Sequence, residues 1–143
     1  MSLGIFSTGR DVTLTIVTPT GPLNLNLITG FHATPDTGEV KVKGLDGVTR
    51  HAMFPDGWRG GFDVERADST LDVYFGQLES QYYAGQATAY STITETISEP
   101  NGSVTQWRYI NVLLRLDDAG SYMGDQTVKQ KMSFVSSRRI QIA

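Results

Sequence analysis

The sequence predicts a mainly β protein, an antiparallel β-sandwich or partly rolled barrel with one flanking α-helix at about residues 69–84. Three observations predict it. Short runs of alternating apolar and polar residues recur along the chain, turn-forming Gly, Pro and Asn separate them, and a single stretch carries a helical period.

The chain opens with alternation at Val12, Leu14 and Ile16 against Thr13, Thr15 and Val17, which reads as a strand, and Pro19 to Pro22 then supplies a turn. Leu23, Leu25 and Leu27 alternate with Asn24 and Asn26, a half-buried strand pattern. Thr34 to Gly38 interrupts the pattern, and Glu39 to Lys43 resumes it with Val40 and Val42 on one side and charges on the other.

Residues 44–57 read as a protruding loop, because Asp46-Gly47 and Pro55-Asp56-Gly57 are turn formers. The loop nevertheless holds Val48, His51, Met53 and Phe54, a content unusual for solvated chain, and with Arg50 these are the candidate inter-subunit residues. Either it folds back on its own core or another subunit covers it.

Trp58 to Arg66 follows as a strand with Phe62 and Val64 inward, Asp63 and Glu65 outward, and Gly60-Gly61 marking a bulge or a close backbone approach. The helix comes next. Leu71, Tyr74, Phe75, Leu78 and Tyr82 fall on one face at a 3.6-residue period, with Ser69 as cap, Asp68 and Asp72 at the positive end, and Gly85 as stop. Burying that face is worth roughly 8 to 15 kcal/mol, so a sheet must cover it.

Ala87 to Ser98 reads as a strand with Thr88, Tyr90, Thr92, Thr94, Thr96 and Ser98 on one face. Asn101-Gly102 is a strong tight-turn signal, and the returning strand from Ser103 to Leu116 is expected to bury Ile110, Val112, Leu114 and Leu116. Asp117 to Asp125 reads as a polar loop. Gln126 to Ser136 then forms a last strand with Val128, Met132 and Phe134 on one face and Lys129 and Lys131 on the other, and Arg138-Arg139 leads into an apolar tail.

At 143 residues, the chain fits one domain spanning 1–143. It contains no cysteine, which excludes a disulfide scaffold. A formal charge of −3 argues against a dedicated nucleic-acid binder, which carries a basic stripe. Met1 to Arg10 lacks the pattern of a signal peptide, and no membrane anchor is expected.

Catalytic chemistry finds little footing. His32 and His51 stand nineteen positions apart with no acid or cysteine at metal-ligand spacing, so neither a metal nor another cofactor is expected. Asp36-Thr37-Gly38 matches the catalytic string of retroviral-type aspartic proteases, but charged Glu39 follows it and Thr34-Pro35 precedes it, as in an ordinary turn. Asp117, Asp118 and Asp125 lack the alternating spacing of a calcium loop. No catalytic residue is assigned.

The run from Gly57 to Arg66, followed by Leu71-Asp72 and Tyr74-Phe75, resembles the tail tube proteins of contractile-tailed bacteriophages. The likeness continues through Thr92-Ile93-Thr94-Glu95, Asn101-Gly102-Ser103, Tyr109 to Leu114, and Asp117-Asp118-Ala119-Gly120 to Phe134, about the last two thirds of the chain. The resemblance implies a structural protein without catalysis, forming homo-hexameric rings that stack into a tube. It also implies a surrounding tail sheath, a tape measure protein inside, a baseplate, and DNA passing through without specific binding.

A channel wall for DNA should be hydrated and not basic, which suits Thr88, Thr92, Thr94 and Thr96 as the lumen face. Lys129 and Lys131 are then expected to face other subunits or neutralising acids. The rivals are the tube protein of type VI secretion, the aspartic protease-like dimer built on Asp36, and a sugar-binding β-sandwich using Trp58 or Trp107 as an exposed platform.

Overall fold

The computed structural model describes residues 11–23, 25 and 28–143. Its element order is β1 (Val12–Thr18), β2 (Gly21–Leu23), β3 (Ile28–Lys43), β4 (Thr49–Glu65), α1 (Thr70–Tyr83), β5 (Ser91–Ser98), β6 (Val104–Asp118), β7 (Lys129–Ser136) and β8 (Arg138–Gln141). The strands join into one antiparallel sheet in the order β2-β1-β5-β6-β7-β4-β3, with β8 beside β6. The sheet is not closed into a barrel. It curls far enough that Ile16 and Ile93 from one leaf share a core with Phe62, Met132 and Phe134 from the other.

β6 makes the curl. Its first half pairs with β5 and β8, its second half with β7. At the changeover Ser91 faces Val112 whereas Ile93 faces Tyr109, so β6 carries one extra residue there. Asn111 absorbs it at a φ of 53°, a left-handed conformation that asparagine tolerates better than most residues. A bulge of this kind bends a strand and lets it serve two layers.

The bulge also inverts side-chain parity, and here the sequence expectation is corrected. Val112 is fully buried, with Leu114 and Leu116 packed against the core, but the inward residue before the bulge is Tyr109, not Ile110. Strict alternation misses this, since one inserted residue swaps the faces. Tyr109 is wholly buried and meets Phe31, Trp58 and Phe134 edge-on, with Phe31 stacked on Phe134 at 5.9 Å.

Three other expectations change. Thr34 to Gly38 does not end a strand: β3 runs through it, with a register shift between Pro35 and Thr37. The strand expected from Ala87 begins at Ser91, leaving Thr88 and Tyr90 outside it. Residues 44–57 are not a loop, because Thr49 onward is strand and only the short turn between Lys43 and Thr49 is irregular. The glycines and Pro55-Asp56-Gly57 pointed to turns, but the register absorbs the latter as an irregularity opposite Pro35 and Thr37. Asn24, Asn26 and Leu27 of the expected second strand lie outside the described residues.

Gly60 explains part of the sheet's tight pairing. A Cβ there would run into the His32 carbonyl, so this site needs a glycine for close strand approach rather than for a bulge.

The helix packs Leu71 and Tyr74 into the core, with Phe75 and Leu78 half-buried beside them. Tyr82 does not join them: it is 71% exposed, on the last turn of the helix. Ser69 occupies the cap position without a side-chain bond, and Asp68 instead accepts the Thr70 N–H at 3.0 Å. Asp72 ties the first turn to the sheet by accepting from Arg66 at 3.0 Å and from Gln130 on β7 at 2.8 Å. Gly85, at a φ of 79°, ends the helix.

Candidate functional site

β4 pairs with β7 only from Trp58 to Glu65, so its first nine residues pair with β3 alone. The outer halves of β3 and β4 therefore form a two-stranded ribbon that leaves the sheet. Its exit is at Gly57, which has a φ of 100° and whose Cβ position would lie 2.7 Å from the Ser136 carbonyl oxygen. Its tip is a tight turn in which Gly47 donates to the Gly44 carbonyl, and Asp46 accepts from the Val48 N–H at 2.9 Å and from Arg50 at 3.0 Å. The Arg50 guanidinium, with the Val48 N–H, holds the Asp46 carboxyl below the usual carboxylate range.

Residues opposite one another in an antiparallel pair share a face, which gives the ribbon two unlike sides. Val40 lies opposite Ala52, Val42 opposite Arg50 and Gly38 opposite Phe54. On the other face Glu39 lies opposite Met53 and Lys41 opposite His51, with His51 Nδ1 3.0 Å from Glu39. The five residues expected to make an interface thus divide: Arg50 and Phe54 belong to the face of Val40 and Val42, His51 and Met53 to the charged one, and Val48 sits at the tip turn. Val40, Val42, Val48, Met53 and Phe54 are all exposed.

Leu45 is fully exposed at the tip, and the sequence reading did not single it out. A leucine set between Gly44 and Asp46-Gly47 was the available signal, since turn tips are normally polar.

At the base of the ribbon, Arg139 of β8 is held between two tryptophans. Its guanidinium carbon lies 4.0 Å from the Trp58 ring centroid and 3.8 Å from that of Trp107. Both rings are half-buried and engaged with this cation, so neither offers the open platform of a sugar-binding sandwich. The neighbouring Tyr109 hydroxyl donates to Glu95 at 3.2 Å. Burial, reinforced by the Glu95 charge, pushes the Tyr109 phenol up to about 12, although Arg139 pulls the other way. Beside this cluster a groove of about 660 Å³ is lined by Met53, Phe54, Pro55, Trp58 and Arg138.

The threonines of β5 point away from the core, since Ser91 and Ile93 occupy the buried parity. Thr94 lies opposite Thr15 of β1 and Thr96 opposite Thr13, while Thr92 lies opposite Val17. The lysines of β7 fall opposite acids on β4: Lys131 faces Asp63 and Lys129 faces Glu65. Asp36 sits at the β3 irregularity, 3.2 Å from Arg59, an ion pair rather than a carboxylate pair within the chain.

Chains in several solved assemblies share this fold. A chain in the cap that terminates the tube of the anti-feeding prophage matches with a TM-score of 0.62 and 8% identity, over 100% of this chain and 95% of that one. A chain in the extended sheath–tube complex of an extracellular contractile injection system matches at 0.58 and 12% identity, over 91% and 88%. A chain in the six-fold symmetrised baseplate of the anti-feeding prophage matches at 0.60 and 12% identity, over 100% and 98%. The fold is that of contractile injection system components. No family model and no curated relative matches the sequence.

Exposed apolar surface on the chain includes the Val40–Val42 side of the ribbon and the groove at its base.

Proposed function

We propose that this chain is a structural, non-catalytic subunit of a contractile-tail tube, which forms homo-hexameric rings that stack into a conduit for DNA ejection. Its partners in that role are further copies of itself, the tail sheath, a tape measure protein and the baseplate. The observation that carries the reading is the ribbon. A lone two-stranded ribbon is marginal in water, and this one exposes Val40, Val42 and Phe54 on one face, Met53 on the other, and Leu45 and Val48 at its tip. Association covers such a surface; a free monomer leaves it wet.

The fold shared with a tube cap, a sheath–tube complex and a six-fold baseplate supports this reading. Within it the hydroxyls of Thr92, Thr94 and Thr96 serve as an uncharged lumen wall that does not hold phosphates, with Thr88 off the strand at its margin.

Electron microscopy of concentrated pure protein tests the reading. Rings or tubes are expected, and a compact monomer at every concentration and salt would overturn it. Replacing residues 39–53 by Asn-Gly, a two-residue turn joining the paired Gly38 and Phe54, should leave a folded protomer that no longer polymerises.

A further inference from the structure

The charges of the β3-β4-β7-β6 leaf are sorted along its length. On the ribbon side of Gly60 the leaf itself is balanced, with Lys41, Lys43, Arg50 and Arg59 against Asp36, Glu39, Asp46 and Asp56, and Arg138 and Arg139 of the adjoining β8 add the positive charge at the ribbon base. On the other side, Asp63, Glu65, Asp68 and Asp72, with Asp117, Asp118 and Asp125 of the β6–β7 loop, outnumber Arg66, Arg115, Lys129 and Lys131. Register fixes the separation: Trp58 pairs with Ser136 at one end of the β4–β7 ladder and Glu65 with Lys129 at the other, seven residues or on the order of 23 Å away.

Each end also carries apolar surface of matching kind. The groove at the ribbon base presents Met53, Phe54 and Trp58 beside the exposed Arg138. The β6–β7 loop presents Tyr122 at 69% and Met123 at 60% exposure, next to exposed Asp125. Its root is fixed, since Gln130 donates to the Ala119 carbonyl at 3.0 Å and Gly120 to Asp118 at 2.9 Å, so the outer residues are held out from the body.

We infer that the β6–β7 loop of one copy, through Tyr122, Met123 and Asp125, docks in the Met53–Phe54–Trp58–Arg138 groove of the next copy. Because the two surfaces lie at opposite ends of one ladder, the contact is head-to-tail and propagates. Opposite charges at the two ends orient the approach and reject the reversed pairing, in which like ends would meet. This inference rests on the self-assembly reading and names its contact.

A charge swap tests it in the full chain. Arg138→Glu and Asp125→Lys should each raise the concentration needed for assembly by about tenfold, read by sedimentation and microscopy. The double variant should recover the parent's threshold, because each reversed end then meets a reversed partner. Raising salt should weaken assembly of the parent and of the double variant alike. Singles that assemble normally, or a double variant no better than the singles, would overturn the docking. The ribbon-shortened protein separates the two ideas: if it fails to assemble while the charge variants assemble normally, the tube reading stands and this contact is wrong.

Discussion

The guanidinium of Arg139 lies 3.8 Å from the centroid of the Trp107 ring. The Trp58 ring centroid lies 4.0 Å from the same guanidinium, so a cation on the short β8 is shared by aromatic rings from β6 and β4. Backbone pairing of β8 runs from Trp107 to Ile110 and is continued by bonds of Gln106 with Ile142 and Ala143, and the side-chain clamp adds to this ladder in fixing the C-terminal strand.

Arg139→Ala should therefore cost about 1–2 kcal/mol, the loss of two partly desolvated cation–π contacts. Urea unfolding measures the cost. Hydrogen exchange should show faster amides across β8 but not across β7, and Arg139→Lys should restore part of the loss.

Stability should fall at alkaline pH through Tyr109. Its folded-state value of about 12 lies above the ordinary value of 10, so between those limits the unfolded chain has lost a proton that the native chain keeps. The contribution is intact below pH 10 and is lost as pH rises toward 12. Denaturation midpoints measured across that window should decline, and Tyr109→Phe should flatten the decline while costing about 1 kcal/mol at neutral pH for the lost bond to Glu95.

Asn111 is where a small change should have a large effect. Asn111→Val forces a β-branched residue into the left-handed region and should cost about 1–2 kcal/mol, whereas Asn111→Gly should be close to neutral despite losing the bond to Ser137. Thermal melts of the pair decide it.

The helix offers an internal control. Leu71→Ala should destabilise by about 2–5 kcal/mol, as a fully buried leucine does, and Tyr82→Ser should stay within about 0.5 kcal/mol. Equal effects at the two positions would contradict the burial of one and the exposure of the other.

These residues also mark how far the sequence could be read. The 3.6-residue period located the helix, and period-two alternation oriented Phe62, Val64, Met132 and Phe134, because each lies in a regular element with one covered face. Tyr82 is the exception because periodicity says which side of the helix a residue is on, not whether anything covers it there. Ile110 was misassigned and Tyr109 missed because a bulge leaves no local mark except an asparagine. The ribbon reads as a loop because Gly, Pro and Asp report turn preference, while the hairpin pairing of Gly38 to Lys43 with Thr49 to Phe54 is a matter of register that residue preferences do not show. Its apolar side chains were legible all along; their division between two faces was not. The clamp around Arg139 joins three strands and had no signature at any single position.

The double membership of β6 has a thermodynamic consequence. A sandwich whose layers touch only through side chains can lose one layer and keep the other, but here hydrogen-bond ladders on both sides run into the same backbone, with irregularities at Asn111 and between Leu116 and Asp118. Heat or denaturant should melt the two leaves in one transition, with calorimetric and van't Hoff enthalpies in agreement, and only the ribbon beyond Gly57 free to fray beforehand.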